Sequence, residues 1–142
     1  LTSKLCIIFS THTRQYLYYF ANTSLVLRLL NYLSNQAAIN LDSVTVIYLV
    51  DRWVVRVKLR ESLVLHQDLN FTAFLRENGS PYTLTHRLDK ALACLDRGMS
   101  CTEVMNRYHV VIVSHGDLRL GDIEEFRTTF VQGLGYCPPS LV

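Results

Sequence analysis

The sequence lacks several patterns that would place it in a common functional class. Its 14 basic and 12 acidic residues are scattered, without a block of like charge, so no electrostatic footprint for nucleic acid is present. No glycine-rich loop opens a helix pattern, which argues against a phosphate-binding site. The four cysteines form no CxxC pair and have no histidine at finger spacing. A structural zinc site of the usual kind is therefore not predicted.

The sequence also lacks an uninterrupted apolar run long enough to cross a membrane. Its most apolar window, Tyr16 to Leu33, contains Asn22, Arg28 and Asn31, which are costly in hydrocarbon. We predict a buried helix there and no membrane insertion. At 142 residues and 49% hydrophobic, the chain is long enough for one domain with a core. The absence of a signal peptide and of an initial Met favours a processed or excised piece.

The compartment stays open between two interpretations. Cys6 and Cys94 lie in apolar patterns, which favours reduced, buried thiols and an intracellular protein, whereas Cys101 and Cys137 carry no signal. Three sequons, at Asn22, Asn70 and Asn78, favour an extracellular one. About one sequon is expected by chance at this composition, so the excess is mild.

The stretch from Tyr108 to Asp117 is the strongest structural signal in the chain. Its β-branched residues, Val110 to Val113, predict a strand buried on both faces, in the middle of a parallel sheet. The carboxyl end of such a strand usually faces the ligand crevice of an α/β fold. We therefore expect Ser114, His115 and Asp117 to lie at a functional edge.

The remaining patterns predict an α/β sandwich with a mostly parallel sheet and one antiparallel edge hairpin. Val44–Val50 and Trp53–Leu59 predict that hairpin, with Arg56 and Lys58 on a solvent-facing side. A helix is predicted after the N-cap Thr85, ending at Gly98. Further elements are predicted at Leu5–Phe9 (strand), Tyr16–Asn35 (helix), Leu69–Leu75 (short helix) and from Asp122 (helix).

In this order, the elements resemble a von Willebrand factor type A domain, the fold shared with integrin I domains. The segment His86–Leu92 is similar to the family's Thr-x-Leu-x-x-Ala-Leu, and Val110–Gly116 is similar to its apolar strand ending in Thr-Asp-Gly. The resemblance implies a Rossmann-like sandwich spanning residues 1–142. The family fold continues with a further strand and helix, so the resemblance implies a domain that lacks them and has an open sheet edge.

The resemblance also implies a degenerate metal-ion-dependent adhesion site. Family members often bind Mg²⁺ through an Asp-x-Ser-x-Ser loop, a Thr and the Asp of Thr-Asp-Gly. Here the loop positions are Ser10, His12 and Arg14, the Thr position is His86, and the Asp position is His115. Because the carboxylates are lost and a cation is gained, we predict no Mg²⁺ and no cofactor.

Two other chemistries are conceivable at this edge. His12, His86 and His115 could together bind Zn²⁺ or another borderline-soft cation, with an open fourth position. A hydrolase could use Ser10 or Ser114 with one of these histidines and Asp117, but no Gly-x-Ser-x-Gly elbow supports it. The simpler interpretation is that the histidines form hydrogen bonds at the loop ends.

The sequence therefore favours a non-enzymatic protein-interaction module that binds a protein partner at the loop edge without Mg²⁺. A guanidinium could pair directly with an acidic group of that partner. A structural scaffold in a larger assembly, with oligomerisation through the sheet edge, is the alternative. The expected partner-binding residues are Ser10, His12, Arg14, His86, His115, Asp117 and Arg119.

Overall fold

The computed structural model describes residues 13–116 and residue 128, which include a five-stranded sheet and four helices packed on it. The strand order is β4-β1-β3-β2-β5, and each neighbouring pair is antiparallel. Along the chain the elements are β1 (Gln15–Phe20), α1 (Thr23–Ser34), β2 (Leu41–Leu49), β3 (Arg52–Leu59), α2 (Leu65–Asn78), β4 (Ser80–Pro81), α3 (His86–Asp96), α4 (Cys101–Tyr108) and β5 (Val111–Gly116).

The prediction of a mostly parallel, Rossmann-like sheet is wrong. All four strand pairings are antiparallel, an architecture that conflicts with a von Willebrand factor type A sandwich. The physical reason lies in the burial of the sheet, which carries helices on both faces. A sheet covered on both faces has continuous apolar strands whatever their direction, so apolar runs alone do not distinguish the two cases.

Two apolar clusters pack on opposite faces of the sheet. The first joins residues such as Phe20, Val46 and Val55 of the sheet to α1 and α2, and the second joins Ile47 and Val54 to α3 and α4. Successive residues of one strand fall in different clusters because side chains alternate across a strand. The sheet is therefore the middle layer of the described fold.

The predicted helix at Tyr16–Asn35 is correct only in its second part. Tyr16 to Phe20 belong to β1, and the helix α1 begins at Thr23 after the N-cap Asn22, whose side chain accepts a hydrogen bond from the Leu25 backbone N–H. The apolar residues of β1 face both clusters, so they show no polar alternation. That pattern is easily taken for the start of a buried helix.

The predicted hairpin is confirmed, but its position in the sheet is not the predicted one. Strands β2 and β3 pair antiparallel around a turn at Val50 and Asp51, and they occupy interior positions of the sheet. The stretch expected at the centre forms β5, which is the last strand of the order. As a consequence, Arg56 lies inside the domain with 2% of its surface exposed, instead of on a solvent-facing strand.

The helix α3 confirms the predicted cap and stop. Thr85 Oγ1 accepts the Leu88 backbone N–H at 3.3 Å, and Gly98 follows the helix with a φ of 95°. The helix α4, which begins after the N-cap Ser100, is not among the predicted elements. The predicted strand at Leu5–Phe9 lies outside the described residues, and of the helix predicted from Asp122 only residue 128 is described, in a helical conformation.

The connection between α2 and β4 depends on a glycine at position 79. A Cβ atom built there would lie 2.5 Å from the backbone oxygen of Tyr19 and 2.8 Å from the Phe20 ring. Asn78, just before it, is 8% exposed and donates a hydrogen bond to the Phe74 carbonyl. The chain therefore passes directly against β1 at this point. Helix α2 spans Leu65–Asn78, longer than the predicted segment.

In the described part of the chain, no helix has the length and apolar character needed to cross a membrane.

Candidate functional site

Three of the predicted site residues lie in the described part of the chain. Arg14 is exposed just before β1, where its carbonyl accepts the Leu59 backbone N–H at 2.7 Å. His86 is exposed at the first position of α3, and His115 is partly buried in β5. The other predicted residues, Ser10, His12, Asp117 and Arg119, lie outside the described residues.

The structure brings only some of these residues to one place. Arg14 precedes β1, whereas the register places His115 level with Leu17, three residues further along β1. Their strands are also three spacings apart, about 14 Å. His86 lies at the start of α3, about 15 Å along the helix from Asp96, whose carboxylate contacts the sheet near His115. Among the described residues, no group of three metal-ligating side chains gathers. The predicted zinc ligands His86 and His115 are thus not brought together, and His12 stays untested.

His115 instead belongs to a group of polar side chains around the buried Arg56 that the sequence did not reveal. We call this group the Arg56 cluster (Thr45, Arg56, Lys58, Asp96 and His115). The Arg56 guanidinium binds the Asp96 carboxylate through both terminal nitrogens, at 2.9 and 2.7 Å. Lys58 Nζ lies 3.3 Å from the same carboxylate. Thr45 Oγ1 lies 2.7 Å from His115 Nδ1 and 3.5 Å from Arg56 Nη2. Five polar side chains from three strands and a helix thus form one connected network.

Burial and charge shift the ionisation of the cluster in defined directions. Burial alone would raise the pKa of Asp96, but the hydrogen bonds and charges of Arg56 and Lys58 outweigh it and hold that pKa below its usual value. Burial, together with the Arg56 charge, lowers the pKa of His115. Asp96 is therefore ionised and His115 neutral at pH 7.

The side chains of the Arg56 cluster bind one another, so we interpret the cluster as a structural network and not as a ligand site. A cavity of about 80 Å³ lies beside it, enough for several water molecules. Within the described part of the chain, Arg56 Nε is the one buried side-chain nitrogen or oxygen without a hydrogen-bond partner. This atom exposes less than 1 Å². The cavity is lined by Gln15, Arg56, Leu84, Asp89, Leu92, Ala93 and Asp96.

The opposite end of β5 carries an exposed apolar surface, here called the apolar corner (Tyr48, Val50 and Val111). These side chains are 39%, 93% and 51% exposed, respectively. Tyr48 and Val111 are cross-strand partners, and Val50 follows Tyr48 at the hairpin turn. The Tyr48 ring packs on Trp53 with centroids 4.6 Å apart, and its hydroxyl donates to the Val50 carbonyl at 3.2 Å. The corner is therefore exposed, and its Tyr48 side chain is held by two contacts.

Strand β5 joins the apolar corner to the Arg56 cluster. It pairs with β2 on one side, and no described residue pairs with its other side. A register shift places Val113 in a bulge, because Ser114 and Ile112 oppose consecutive residues of β2. Its six residues include neither proline nor a Lys, Arg, Asp or Glu.

A second polar contact, on the face of the sheet covered by α3 and α4, surrounds Cys94. The Cys94 Sγ lies 3.1 Å from the Tyr108 hydroxyl and accepts a hydrogen bond from Arg97 at 3.2 Å. The hydrogen bond with Tyr108, followed by that of Arg97, lowers the pKa of the thiol despite its burial. The apolar helix pattern indicated an inert thiol, because Tyr108 belongs to a helix that the sequence did not predict.

The sequons differ in their surroundings. Asn78 is buried, and its side chain also accepts a hydrogen bond from Arg28 at 3.0 Å, while Asn70 is exposed on α2. In the folded chain, the Asn70 side chain is accessible to solvent and the Asn78 side chain is not.

Comparisons with known proteins leave the family open. No protein-family model matches the chain, and no curated protein matches it. Among solved structures, the chain is similar to the C-terminal domain of YpbH, with 24% sequence identity and a TM-score of 0.41. The match covers 57% of this chain and 80% of that one. A likeness of this degree assigns neither a family nor a function.

Proposed function

We propose that this chain is a non-enzymatic protein-binding domain, in which an extended segment of a partner protein pairs with the side of β5 that has no neighbour among the described residues. In this proposal, an apolar side chain of the segment packs on the apolar corner. The observation that carries the proposal is the exposed apolar corner at one end of a strand that has a single described neighbour.

The backbone of β5 supports strand addition. An edge strand presents unpaired N–H and C=O groups, and proteins usually protect such edges with charge, proline or a short length. Strand β5 has six residues, with no proline and no Lys, Arg, Asp or Glu among them. It does contain the bulge at Val113. A partner strand would gain main-chain hydrogen bonds there.

The apolar corner supports the same proposal through its Tyr48 side chain. Tyr48 is held by the Trp53 ring and by its hydrogen bond to Val50, so little side-chain entropy remains to be lost on binding. Apolar patches at protein surfaces that are contiguous and preformed are typical of interaction sites. The corner and the edge adjoin at Val111, so one segment can contact both.

Strand register favours a separate partner over a second copy of the chain. Antiparallel pairing of β5 with itself over its full length places Val111 opposite Gly116 of the copy. The two apolar corners would then lie about 17 Å apart along the strands and would not meet. A separate extended segment can run past Val111 and cover the corner, which the symmetric arrangement leaves exposed.

The experiment uses a designed peptide of alternating valine and threonine with a tryptophan at the end that reaches the corner. Fluorescence anisotropy should detect its binding, and N-methylation of alternate peptide nitrogens should abolish it because main-chain hydrogen bonds are lost. Val111→Lys should weaken binding at least about tenfold, equivalent to 1.4 kcal/mol.

Leu69→Lys on α2 is the matched control, because Leu69 is similarly exposed, at 58%, and lies away from β5. It should leave binding unchanged. Equal binding of the N-methylated peptide would overturn strand addition, and unchanged binding by Val111→Lys would overturn the role of the corner. A dimer in sedimentation that Val111→Lys dissociates would identify a second copy as the occupant instead.

A further inference from the structure

The side chains of Thr45 and His115 form a cross-strand hydrogen bond, and the tautomer of the ring decides which of the two donates. Thr45 is fully buried, and its Oγ1 can accept from Arg56 Nη2, which can only donate. The hydroxyl proton is then free to be donated to His115 Nδ1 at 2.7 Å. In this arrangement neutral His115 carries its own proton on Nε2 and accepts at Nδ1.

A second proton on His115 must go to Nδ1, the atom that accepts from Thr45. Protonation therefore removes the only acceptor that this arrangement gives the Thr45 hydroxyl, and it adds a cation beside Arg56 and Lys58 of β3. Two carboxylates also face the ring, Asp42 from β2 and Asp96 from α3. Asp96 is already bound by both cations of β3, so it offers limited compensation.

We infer that His115 forms an acid-sensitive contact, which holds the carboxyl end of β5 on the sheet when neutral and releases it when protonated. Among the described strands, β2 alone pairs with this end of β5, with Thr45 opposite His115 and Val44 opposite Gly116. The consequence for partner binding rests on the proposed function, since a loosened β5 would be a poorer template for an added strand. The contact itself does not depend on a partner.

The direction of the pH effect follows from the ionisation of His115. Burial, then the Arg56 charge, hold the pKa of His115 in the fold below the value of about 6.5 expected in the unfolded chain. Between these two values the unfolded chain binds more protons, so stability rises with pH. The contribution is complete above about pH 6.5 and is lost as the pH falls through the lowered pKa.

Amide hydrogen exchange by NMR, without any peptide, tests the inference. Protection factors of β5 amides, which correct for the intrinsic pH dependence of exchange, should fall several-fold between pH 7.5 and 5. His115→Gln should remove this fall, because a glutamine amide can accept from Thr45 and does not titrate. His86→Gln, at an exposed position of α3, is the matched control and should keep it.

Two outcomes would overturn the inference. One is an equal loss of protection in His115→Gln, and the other is a His115 ring that titrates by NMR at or above pH 6.5 in the wild-type chain. The ring titration needs no variant, so it decides the question even if His115→Gln folds poorly. Neither measurement involves the designed peptide, so failure here and failure of the proposed function are distinguishable.

Discussion

The face of the sheet covered by α1 and α2 is packed with apolar side chains such as Phe20, Val46 and Phe71. Its side-chain hydrogen bonds, for example from Tyr16 to Asp68, are only partly buried. The face covered by α3 and α4 also has an apolar cluster, but it encloses the Arg56 guanidinium. One face is thus held mainly by apolar burial, and the other needs a matched set of charges as well.

The difference teaches which conditions each half of the domain responds to. Apolar burial depends little on pH, because apolar side chains carry no ionisable group. A buried ion pair stabilises the fold only while both charges are present, since losing one partner leaves the other charge buried and uncompensated. We therefore expect acid and single charge changes to act on the α3–α4 face, and changes of volume to act most strongly on the α1–α2 face.

The largest expected effect is that of Phe71→Ala, which breaks the apolar face. The Phe71 ring is 1% exposed and packs on Tyr16, with centroids 4.8 Å apart. Truncation should lower the free energy of unfolding by about 4 kcal/mol, through lost transfer energy and a cavity. Urea titrations should show nearly the same loss at pH 7 and pH 5, and a strong pH dependence would contradict the comparison.

Asp96→Ala should destabilise the other face by about 3 kcal/mol at pH 7, because Arg56 stays buried without its carboxylate. The value is at the low end for buried pairs, since the Asp96 side chain is 30% exposed. The pKa of Asp96 is lowered in the fold, so its contribution is present above about pH 3.8 and is lost below it.

The difference between Asp96→Ala and wild type should therefore shrink in urea titrations below that pH. Asp89→Ala, at an exposed position of the same helix, is the control and should cost less than about 0.5 kcal/mol. An equal cost for both aspartates would mean that the ion pair does not stabilise this face.

Arg56→Met should cost less than Asp96→Ala, about 1 kcal/mol or below. The substitution removes the buried cation and fills its volume with an apolar chain, while Asp96 keeps contact with solvent and Lys58. Chemical denaturation of the two variants side by side measures the difference between their losses in unfolding free energy. A larger loss for Arg56→Met would show that the guanidinium contributes more than it costs to bury.

The smallest expected effect is a change in thiol ionisation in Tyr108→Phe. Without the phenol donor, the pKa of Cys94 should rise, because Tyr108 makes the leading contribution to its lowered value. The carbon-13 shift of the Cys94 Cβ, followed against pH in a Cys101→Ser background, measures the change. An unchanged titration would mean that Arg97 stabilises the thiolate by itself.

The local features of this fold could be predicted from the sequence better than its long-range strand pairings. Thr85 and Gly98 bound α3 by their own chemistry, and the hairpin turn at Val50 and Asp51 is specified by adjacent residues. The position of β5 depends on pairing with β2, more than 60 residues earlier. No periodicity in a single strand encodes that pairing or its direction.

The candidate site is hidden in the sequence for a related reason. Arg56 alternates with valines, the usual pattern of a strand with one wet face, and only Asp96, 40 residues later, makes its burial possible. The resemblance predicts His115 as a loop-edge ligand, and the structure places it in a strand beside Thr45. The apolar corner has no sequence signature, because Val111 resembles its buried neighbours.

The close approach of the chain at Gly79 sets a limit on how the domain can vary. Any side chain at this position would overlap the Tyr19 backbone, which belongs to a paired strand and cannot move aside independently. At Gly116, by contrast, no described atom lies within 4 Å of the position that a Cβ would take, so side chains fit there. In a library of variants selected for folding, position 79 should remain glycine while position 116 accepts many residues, which makes the α2–β4 connection a fixed point of sequence change.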